Sequence, residues 1–290
     1  MTVFCLGSIN IDHVYRLPAL PQAGETLTAV SHTPGLGGKG VNQSVAALRA
    51  GAEVVHIGAV GQGDAWILAQ LTAHGIALDW IARVAQGTGH AIVAVDDAGE
   101  NQIIIHSGAN LAQDPAMIDA ALATARPGDS LLLQNETSHQ VEAAQAARAR
   151  GMMVFYSAAP FALAPLRAVL PHVTHLLVNA GEADALVKAT GTALPDQPVE
   201  AVIVTRGAQG AEWISAGAEP LFTPAFPVTP VDTTGAGDCF AGSLAAALGR
   251  GASPAQALRY AAAAAALQVT RPGAAPAMPD RAQVERFLAD

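Results

Sequence analysis

The sequence is poor in cysteine, lysine, aromatic side chains and charge, and each shortage excludes a class of protein. The two cysteines among 290 residues are too few for a disulfide framework or a cysteine-based zinc site. Charged residues make up 13%, about half of the usual ~25%, and a net charge of −9 argues against a nucleic-acid or anionic membrane partner. With 51% apolar but 4% aromatic residues, we expect a core closely packed with small side chains.

Long apolar runs are also missing. No stretch approaches the ~18 consecutive apolar residues of a membrane-spanning helix, and the alanine-rich run 260–267 ends at Gln268. The first residues lack the basic segment that opens a signal peptide. We therefore expect a cytoplasmic protein that binds no membrane.

Short apolar segments typical of strands alternate with alanine-rich helical segments. The predicted strands are 3–6, 54–57, 131–134, 153–157, 175–178 and 201–205, and the predicted helices are 41–50, 65–74, 115–125, 139–150 and one starting at Ala180. This alternation predicts an α/β fold with a parallel sheet covered by helices on both faces. Since no linker divides the chain, we expect a single domain over residues 1–290.

Polar residues follow several of these strands, at positions Asn10, Asp12, Glu136, Asn179 and Thr205. Ligands of parallel α/β sheets bind beyond the carboxyl ends of the strands. We therefore expect these side chains to converge on one edge of the sheet.

Two segments, about 11–33 and 88–106, lack helical periodicity and alternate as strands do, as in 90–95 and 101–105. Turn residues at 21–24 and 97–99 lie where hairpins need them. These segments predict a small β flap.

The first chemical motif is the glycine-rich segment 35–42, which leads into a predicted helix and contains Lys39, one of two lysines beside thirteen arginines. Its glycine spacing matches the dinucleotide fingerprint, which requires a preceding strand and an acidic residue closing the next strand. Residues 31–34 predict a poor strand, and Glu53 opens the next strand instead of closing it. We therefore reject a dinucleotide site; a plain flexible turn is the alternative to a ligand loop.

The second motif is Asp232-Thr-Thr-Gly-Ala-Gly-Asp238, followed by a helical stretch. Glycines and free N–H groups at a helix N-terminus form an anion site without basic residues. Asp238 would then face the acceptor and take its proton during group transfer. The alternative is an acidic residue favoured only by the helix dipole.

Two weaker patterns lie at strand ends. Asn179 and Glu182 have the spacing of a helix capping box, and they could also order water around Mg²⁺. Asn10 and Asp12, two residues apart in a strand, would point the same way and suit two neighbouring hydroxyls.

Together these motifs resemble the ribokinase (PfkB) family of sugar kinases over nearly the whole chain. The two signatures are Gly37-Gly-Lys-Gly-Val-Asn42 and Asp232–Asp238, about 200 residues apart in the order typical of the family; the segments 105–110 and 134–136 match its ribokinase branch. The resemblance implies a three-layer αβα sandwich with a mostly parallel central sheet. It also implies a small β-sheet lid that often pairs with a second subunit, hence a homodimer.

The resemblance further implies transfer of the γ-phosphoryl group of ATP to the 5-hydroxyl of D-ribose, with Mg²⁺ and a monovalent activator, usually K⁺. Asp238 would be the base. The sugar would contact Asn10, Asp12, Gly38, Lys39, Asn42, Glu136 and Asp238. The nucleotide would contact Asn179, Glu182, Thr205, Gly207, Gly235, Ala236 and Gly237. The monovalent cation would be bound by Asp232 and by the carbonyl oxygens of Thr234, Gln268, Arg271 and Gly273.

The chain departs from the family pattern at three positions. Ala262 stands where many members contact the nucleotide through Asn or His, Ala277 where a serine often completes the cation site, and Cys239 where Thr is common. Two alternatives stay open: a kinase of the same family for another small sugar or a nucleoside, and a catalytically silent sugar sensor on the same fold.

Overall fold

A computed structural model describes residues 1–289 and places thirteen strands within them, in two separate sheets. The strands are β1 (Thr2–Leu6), β2 (Asn10–Arg16), β3 (Ser31–Gly37), β4 (Glu53–Gly61), β5 (Ile81–Val84), β6 (Gly89–Val95), β7 (Asn101–His106), β8 (Ser130–Gln134), β9 (Met153–Ser157), β10 (His175–Asn179), β11 (Ala201–Thr205), β12 (Ala211–Ile214) and β13 (Leu221–Thr223).

Nine α-helices lie within the same residues. They are α1 (Lys39–Arg49), α2 (Ala65–Ala73), α3 (Pro115–Leu122), α4 (Gln140–Ala149), α5 (Leu163–Val169), α6 (Ala180–Thr190), α7 (Ala236–Gly249), α8 (Pro254–Gln268) and α9 (Arg281–Ala289). Within residues 1–289 no helix combines the length and the hydropathy needed to cross a bilayer.

The main sheet has nine strands in the order β13-β12-β11-β10-β9-β8-β1-β4-β5. The seven strands from β11 to β5 run parallel, and β12 and β13 add an antiparallel edge. The carboxyl ends of the seven parallel strands therefore share one edge, where a ligand site is expected.

Successive side chains of a strand point to opposite faces of a sheet, and β1 shows how this builds two cores. Val3 and Cys5 are buried in one core, with side chains of α1, α7 and α8. Phe4 and Leu6 are buried in the other, with side chains of α3, α4, α5 and α6. The expected three-layer αβα sandwich is therefore confirmed.

The second sheet has the order β3-β2-β6-β7 and corresponds to the expected small β-sheet. β2 pairs in parallel with β6 and antiparallel with β3. The prediction that residues 31–34 form a poor strand is wrong, because they belong to β3. Since β3 pairs only with β2, Pro34 lies in an edge strand, where the missing N–H of proline is tolerated.

Gly38 makes the turn between β3 and α1 and so sets the direction of the helix that carries Lys39. Its φ of +100° is a conformation that other residues rarely adopt. A Cβ atom there would also come within 2.5 Å of the main-chain oxygen of Ser8. The turn therefore requires glycine for both conformation and space.

We expect Gly38→Ala to lower the free energy of unfolding by more than the ~1 kcal/mol typical of the loss of a left-handed glycine, because backbone atoms must also move. Gly99→Ala is the matched control, since Gly99 has a φ of +84° but open space around its Cβ position. Urea unfolding of both variants measures the difference. Equal losses of stability would contradict the steric argument.

Candidate active site

Four charged side chains meet at the carboxyl edge of the main sheet. Lys39 begins α1, Glu136 follows β8, Asp12 lies in β2, and Asp238 lies in the first turn of α7. The Lys39 Nζ atom is 3.1 Å from Glu136 Oε1. Three carboxyl groups, those of Asp12, Glu136 and Asp238, thus surround the ammonium group of Lys39.

The Glu136 carboxylate is held by three groups of two residues, Ser8 and Lys39. Its Oε2 atom accepts hydrogen bonds from the hydroxyl of Ser8 and, at 3.4 Å, from the Lys39 N–H. Its side chain is only 8% exposed. Sequence reasoning missed Ser8, although this serine lies two residues after the end of β1, at the edge where ligands are expected.

Asp238 is fixed by two consecutive residues of α1. Asn42 Nδ2 donates to Asp238 Oδ2 and Gln43 Nε2 donates to Asp238 Oδ1, each at 3.1 Å. The Gln43 amide also donates to Ser157 Oγ and accepts from Gln134 Nε2. Sequence reasoning did not identify Gln43 and Gln134 as positioning residues. The signal that could have identified them is the presence of a polar glutamine in each of two segments predicted to be buried.

Asn10 is oriented by a second asparagine. Its Oδ1 atom accepts from Asn110 Nδ2 at 2.7 Å, and Asn110 Oδ1 accepts from the Ile9 N–H. Both asparagine side chains are buried. Asn10 and Asp12 lie two residues apart in β2 and share a face of the second sheet, as the spacing predicted.

Desolvation and mutual repulsion shift the protonation of this cluster. Burial raises the pKa of Asp238 to about 6, although Lys39, Asn42 and Gln43 oppose the rise. Burial and the neighbouring Glu136 raise the pKa of Asp12 to about 6. Burial alone would lower the pKa of Lys39, but the surrounding carboxylates outweigh it and raise that pKa.

The N-terminus of α7 offers an anion site beside Asp238. Gly235 adopts a φ of +78°, and a Cβ atom there would lie 2.7 Å from the Ala274 methyl group. The Ala236 N–H closes a turn onto the Thr233 carbonyl. The N–H groups of Gly235 and Gly237 have no acceptor within residues 1–289, so they are available to a phosphate oxygen.

An apolar cavity of about 460 Å³ adjoins this turn. Four residues expected to contact a nucleotide line it, namely Thr205, Gly207, Ala236 and Gly237. Ala262 lines it too, with Phe226 and Val228. Its size and apolar walls suit a nucleoside, whereas Asn179, Glu182 and Gly235 lie outside this lining.

Asn179 and Glu182 form the predicted capping box at the start of α6. Asn179 Oδ1 accepts from the Glu182 N–H at 2.9 Å, and Glu182 Oε2 accepts from the Asn179 N–H at 2.8 Å. Glu182 Oε1 has no hydrogen-bond partner within residues 1–289. The capping role therefore leaves one carboxylate oxygen for a metal-bound water.

The residues expected to bind a monovalent cation are engaged with one another. Asp232 accepts from the N–H groups of Thr234 and Gly273, and Gln268 Nε2 donates to the carbonyl oxygens of the same two residues. The Arg271 N–H donates to the Gln268 carbonyl at 3.1 Å. An amide donor thus faces two of the four carbonyls expected to face the cation, and a third accepts from the Arg271 N–H. This arrangement does not fit that ion.

Neither cysteine carries the features of a reactive thiol. Burial raises the pKa of Cys5 to about 11 and that of Cys239 to about 12. A reactive cysteine needs a lowered pKa. Cys239 therefore packs as a small side chain, as expected, although it lies in the first turn of a helix.

Comparisons with known proteins point to one family. The family model described as "pfkB family carbohydrate kinase" matches residues 2–281. The chain is 37% identical to a ribokinase from Bacillus subtilis, with 98% of each chain covered. It is 34% identical to a ribokinase from Haemophilus influenzae, covering 99% of this chain and 98% of that protein.

Some of the similar solved structures contain ligands, and one of them contains both a sugar and a nucleotide. It is the Arabidopsis thaliana ribokinase complexed with ribose and ATP, with a TM-score of 0.87 and 31% sequence identity. The superposition covers 100% of this chain and 98% of that chain.

We expect NMR titration of the Asp12 and Asp238 carboxyl carbons to give midpoints near pH 6, not the usual ~4. Lys39→Met should raise both midpoints, because it removes the one ammonium group that stabilises the carboxylates. Lys188→Met, which removes the exposed lysine of α6, is the control and should leave them unchanged. Midpoints near pH 4 in the wild type would contradict the desolvated cluster.

Proposed function

The chain belongs to the pfkB family of carbohydrate kinases, and on that premise we propose that it transfers the γ-phosphoryl group of ATP to the 5-hydroxyl of D-ribose. One observation carries the proposal. Asp238 lies between the glycine turn of α7 and the polar cluster around Lys39, so one carboxylate adjoins both a phosphate site and a hydroxyl site. Phosphoryl transfer needs these two sites in line.

In this proposal the sugar binds among Asn10, Asp12, Gly38, Lys39, Asn42 and Glu136. Carboxylates and amides accept and donate hydrogen bonds in fixed directions, which suits the vicinal hydroxyls of a small furanose. Of the four charged groups only Lys39 is cationic, and it lies nearest Glu136. No tryptophan, tyrosine or phenylalanine belongs to this cluster to stack on a base, which favours a sugar over a nucleoside.

Asp238 acts as the base. The amides of Asn42 and Gln43 each donate to one of its oxygens, which fixes the carboxylate plane while leaving further lone pairs for a hydroxyl proton. A pKa of about 6 makes the carboxylate a stronger proton acceptor than an exposed aspartate, yet it stays mostly ionised at neutral pH. Both properties suit general-base catalysis.

The nucleotide occupies the apolar cavity, with Thr205 and Gly207 at its rim and the N–H groups of Gly235 and Gly237 toward the phosphates. Kinases that use ATP work with a divalent metal, usually Mg²⁺, which neutralises charge on the transferred group. No group of three or more acidic, histidine or cysteine side chains within residues 1–289 forms a metal cage, and Mg²⁺ on a nucleotide needs none. Asn179 and Glu182 would order its water through the free Glu182 oxygen.

We also propose that residues 1–290 form one kinase domain, in which the segments of about 11–33 and 88–106 act as a lid. Asp12 belongs both to the second sheet and to the charged cluster, so movement of that sheet changes access to the site. Closure would exclude water, which otherwise competes with the sugar for the phosphoryl group.

The second sheet has an apolar free edge, and we propose that a second copy of the chain covers it in a homodimer. In β7, an edge strand, Ile103, Ile104 and Ile105 are 54%, 67% and 49% exposed. Exposed apolar edge strands are rare in monomeric proteins because they pair with other chains.

We expect Asp238→Asn to lower kcat for ribose phosphorylation by at least about 100-fold, since loss of a general base typically costs 10²–10⁴-fold. ADP release should be measured with ribose, deoxyribose, fructose and adenosine. Asp119→Asn, on the exposed surface of α3, is the matched control and should keep full activity.

Other outcomes of that assay identify the alternatives. A higher rate with another acceptor would retain the fold and the base but reject ribose as the substrate. If no sugar is phosphorylated while ribose still raises the melting temperature, the chain is a sugar sensor.

For the dimer, we expect the wild type to sediment at twice the 29.4 kDa chain mass, and Ile104→Glu to sediment as a monomer. The added charge cannot be desolvated at an apolar interface. Phe222→Glu is the control, because Phe222 is 56% exposed on β13, far along the chain from the second sheet. A monomeric wild type would reject this interface.

A further inference from the structure

The side chain of Gln268 joins two loops beside the phosphate-binding turn. Gln268 is the last residue of α8 and is fully buried. Its Nε2 atom lies 2.9 Å from the Thr234 carbonyl oxygen and 3.0 Å from the Gly273 carbonyl oxygen. A carboxamide NH₂ group has two N–H donors, so each carbonyl receives one.

Asp232 joins the same two loops as a hydrogen-bond acceptor, whereas Gln268 joins them as a donor. Its Oδ1 atom accepts from the Thr234 N–H at 2.9 Å, and its Oδ2 atom accepts from the Gly273 N–H at 2.8 Å. Burial works against the charged form of Asp232, but the hydrogen bonds from Thr234 and Gly273 lower its pKa. One acidic and one amide side chain therefore satisfy both polar main-chain groups of Thr234 and of Gly273.

From this geometry we infer that the Gln268 carboxamide takes the place of the monovalent cation, so that phosphoryl transfer by this chain requires neither K⁺ nor Na⁺. Carbonyl oxygens that converge on one point repel each other unless a positive group lies between them. A cation provides that group through its charge, as in carbonyl-lined ion sites. Here the partial positive charges of two N–H groups provide it.

Two further features reduce the number of oxygens left for a cation, although the buried Gln268 Oε1 atom accepts no hydrogen bond within residues 1–289. The Gln268 main-chain carbonyl already accepts from the Arg271 N–H. Ala277, which is buried and follows the same loop in sequence, has no oxygen in its side chain. Rotating the Gln268 amide would place its Oε1 atom against the two carbonyl oxygens, where it would repel them. The observed orientation is therefore the one that satisfies both carbonyls without an added ion.

The consequence for catalysis follows from the position of Thr234. It directly precedes Gly235, whose N–H is one of the two available to phosphate, and Asp238 lies four residues further on. Gln268 thus acts as a positioning residue that holds the turn in shape. This consequence rests on the proposed kinase function, whereas the exclusion of the cation rests on the hydrogen bonds alone.

The test compares the wild type in potassium chloride and in tetramethylammonium chloride at equal ionic strength. We expect kcat/KM for ribose to agree within about twofold in the two salts. Stimulation by K⁺ of tenfold or more would overturn the inference.

Two variants then remove the donors. Gln268→Ala deletes the amide, and Gln268→Glu keeps its size while replacing NH₂ with an oxygen, so that at least one variant preserves the packing. Each should lose at least tenfold in kcat/KM in tetramethylammonium chloride and regain most of that loss in potassium chloride. If both variants respond to K⁺ no more than the wild type does, Gln268 does not stand in for a cation.

Melting temperatures test cation binding without any turnover. The wild type should melt at the same temperature in both salts, whereas K⁺ should raise the melting temperature of the variants in a saturable way. A saturable rise in the wild type would show a working cation site and reject the inference. If no sugar is phosphorylated, the proposed function fails, and these melting temperatures still decide the role of Gln268.

Discussion

Three carboxyl groups, those of Asp12, Glu136 and Asp238, share one ammonium group, that of Lys39, at the carboxyl edge of the main sheet. The excess of carboxyl groups over ammonium groups in this buried cluster determines the chemistry of the site. The pKa of Asp238 rises to about 6 even though a helix N-terminus favours its charged form, because the cost of desolvation is larger. Asp238 is therefore mostly ionised at neutral pH, yet its carboxylate has a higher proton affinity than that of an exposed aspartate.

Uncharged amides hold this cluster in place. Asn42 and Gln43 bind Asp238, Gln134 binds Gln43, and Asn110 binds Asn10. The same principle operates at the neighbouring loops, where Gln268 binds two carbonyls. Neutral donors fix charged groups and dipoles without adding charge. The hydrogen bonds from Asn42 and Gln43 lower the pKa of Asp238, but burial outweighs them and holds it at about 6.

The sequence predicted the layers well because they follow from local patterns. The apolar run 131–134 and the alanine-rich segment 41–50 appear as β8 and α1, with bounds that agree within one or two residues. Residues 31–34 were judged a poor strand, although 31–33 fell within the predicted β flap, because their strand propensity is low. Pairing with β2 stabilises the strand despite that propensity.

Contacts within the site were harder to foresee. Asn42 and Asp238 are 196 residues apart in sequence, and Gln268 and Thr234 are 34 residues apart, so no local pattern reveals either bond. Family resemblance named the main-chain carbonyls of the loop after α8, but it could not show that the Gln268 side chain turns toward them. Side-chain direction at a helix end depends on the packed neighbours.

The most direct test of the account is to identify the product. Incubation with D-ribose, ATP and Mg²⁺, followed by ³¹P and ¹H NMR of the reaction mixture, shows which oxygen carries phosphate. We expect a phosphate ester on the 5-oxygen, the hydroxyl that Asp238 would activate. An ester on another oxygen, or release of free phosphate without an ester, would contradict the placement of the sugar against that carboxylate.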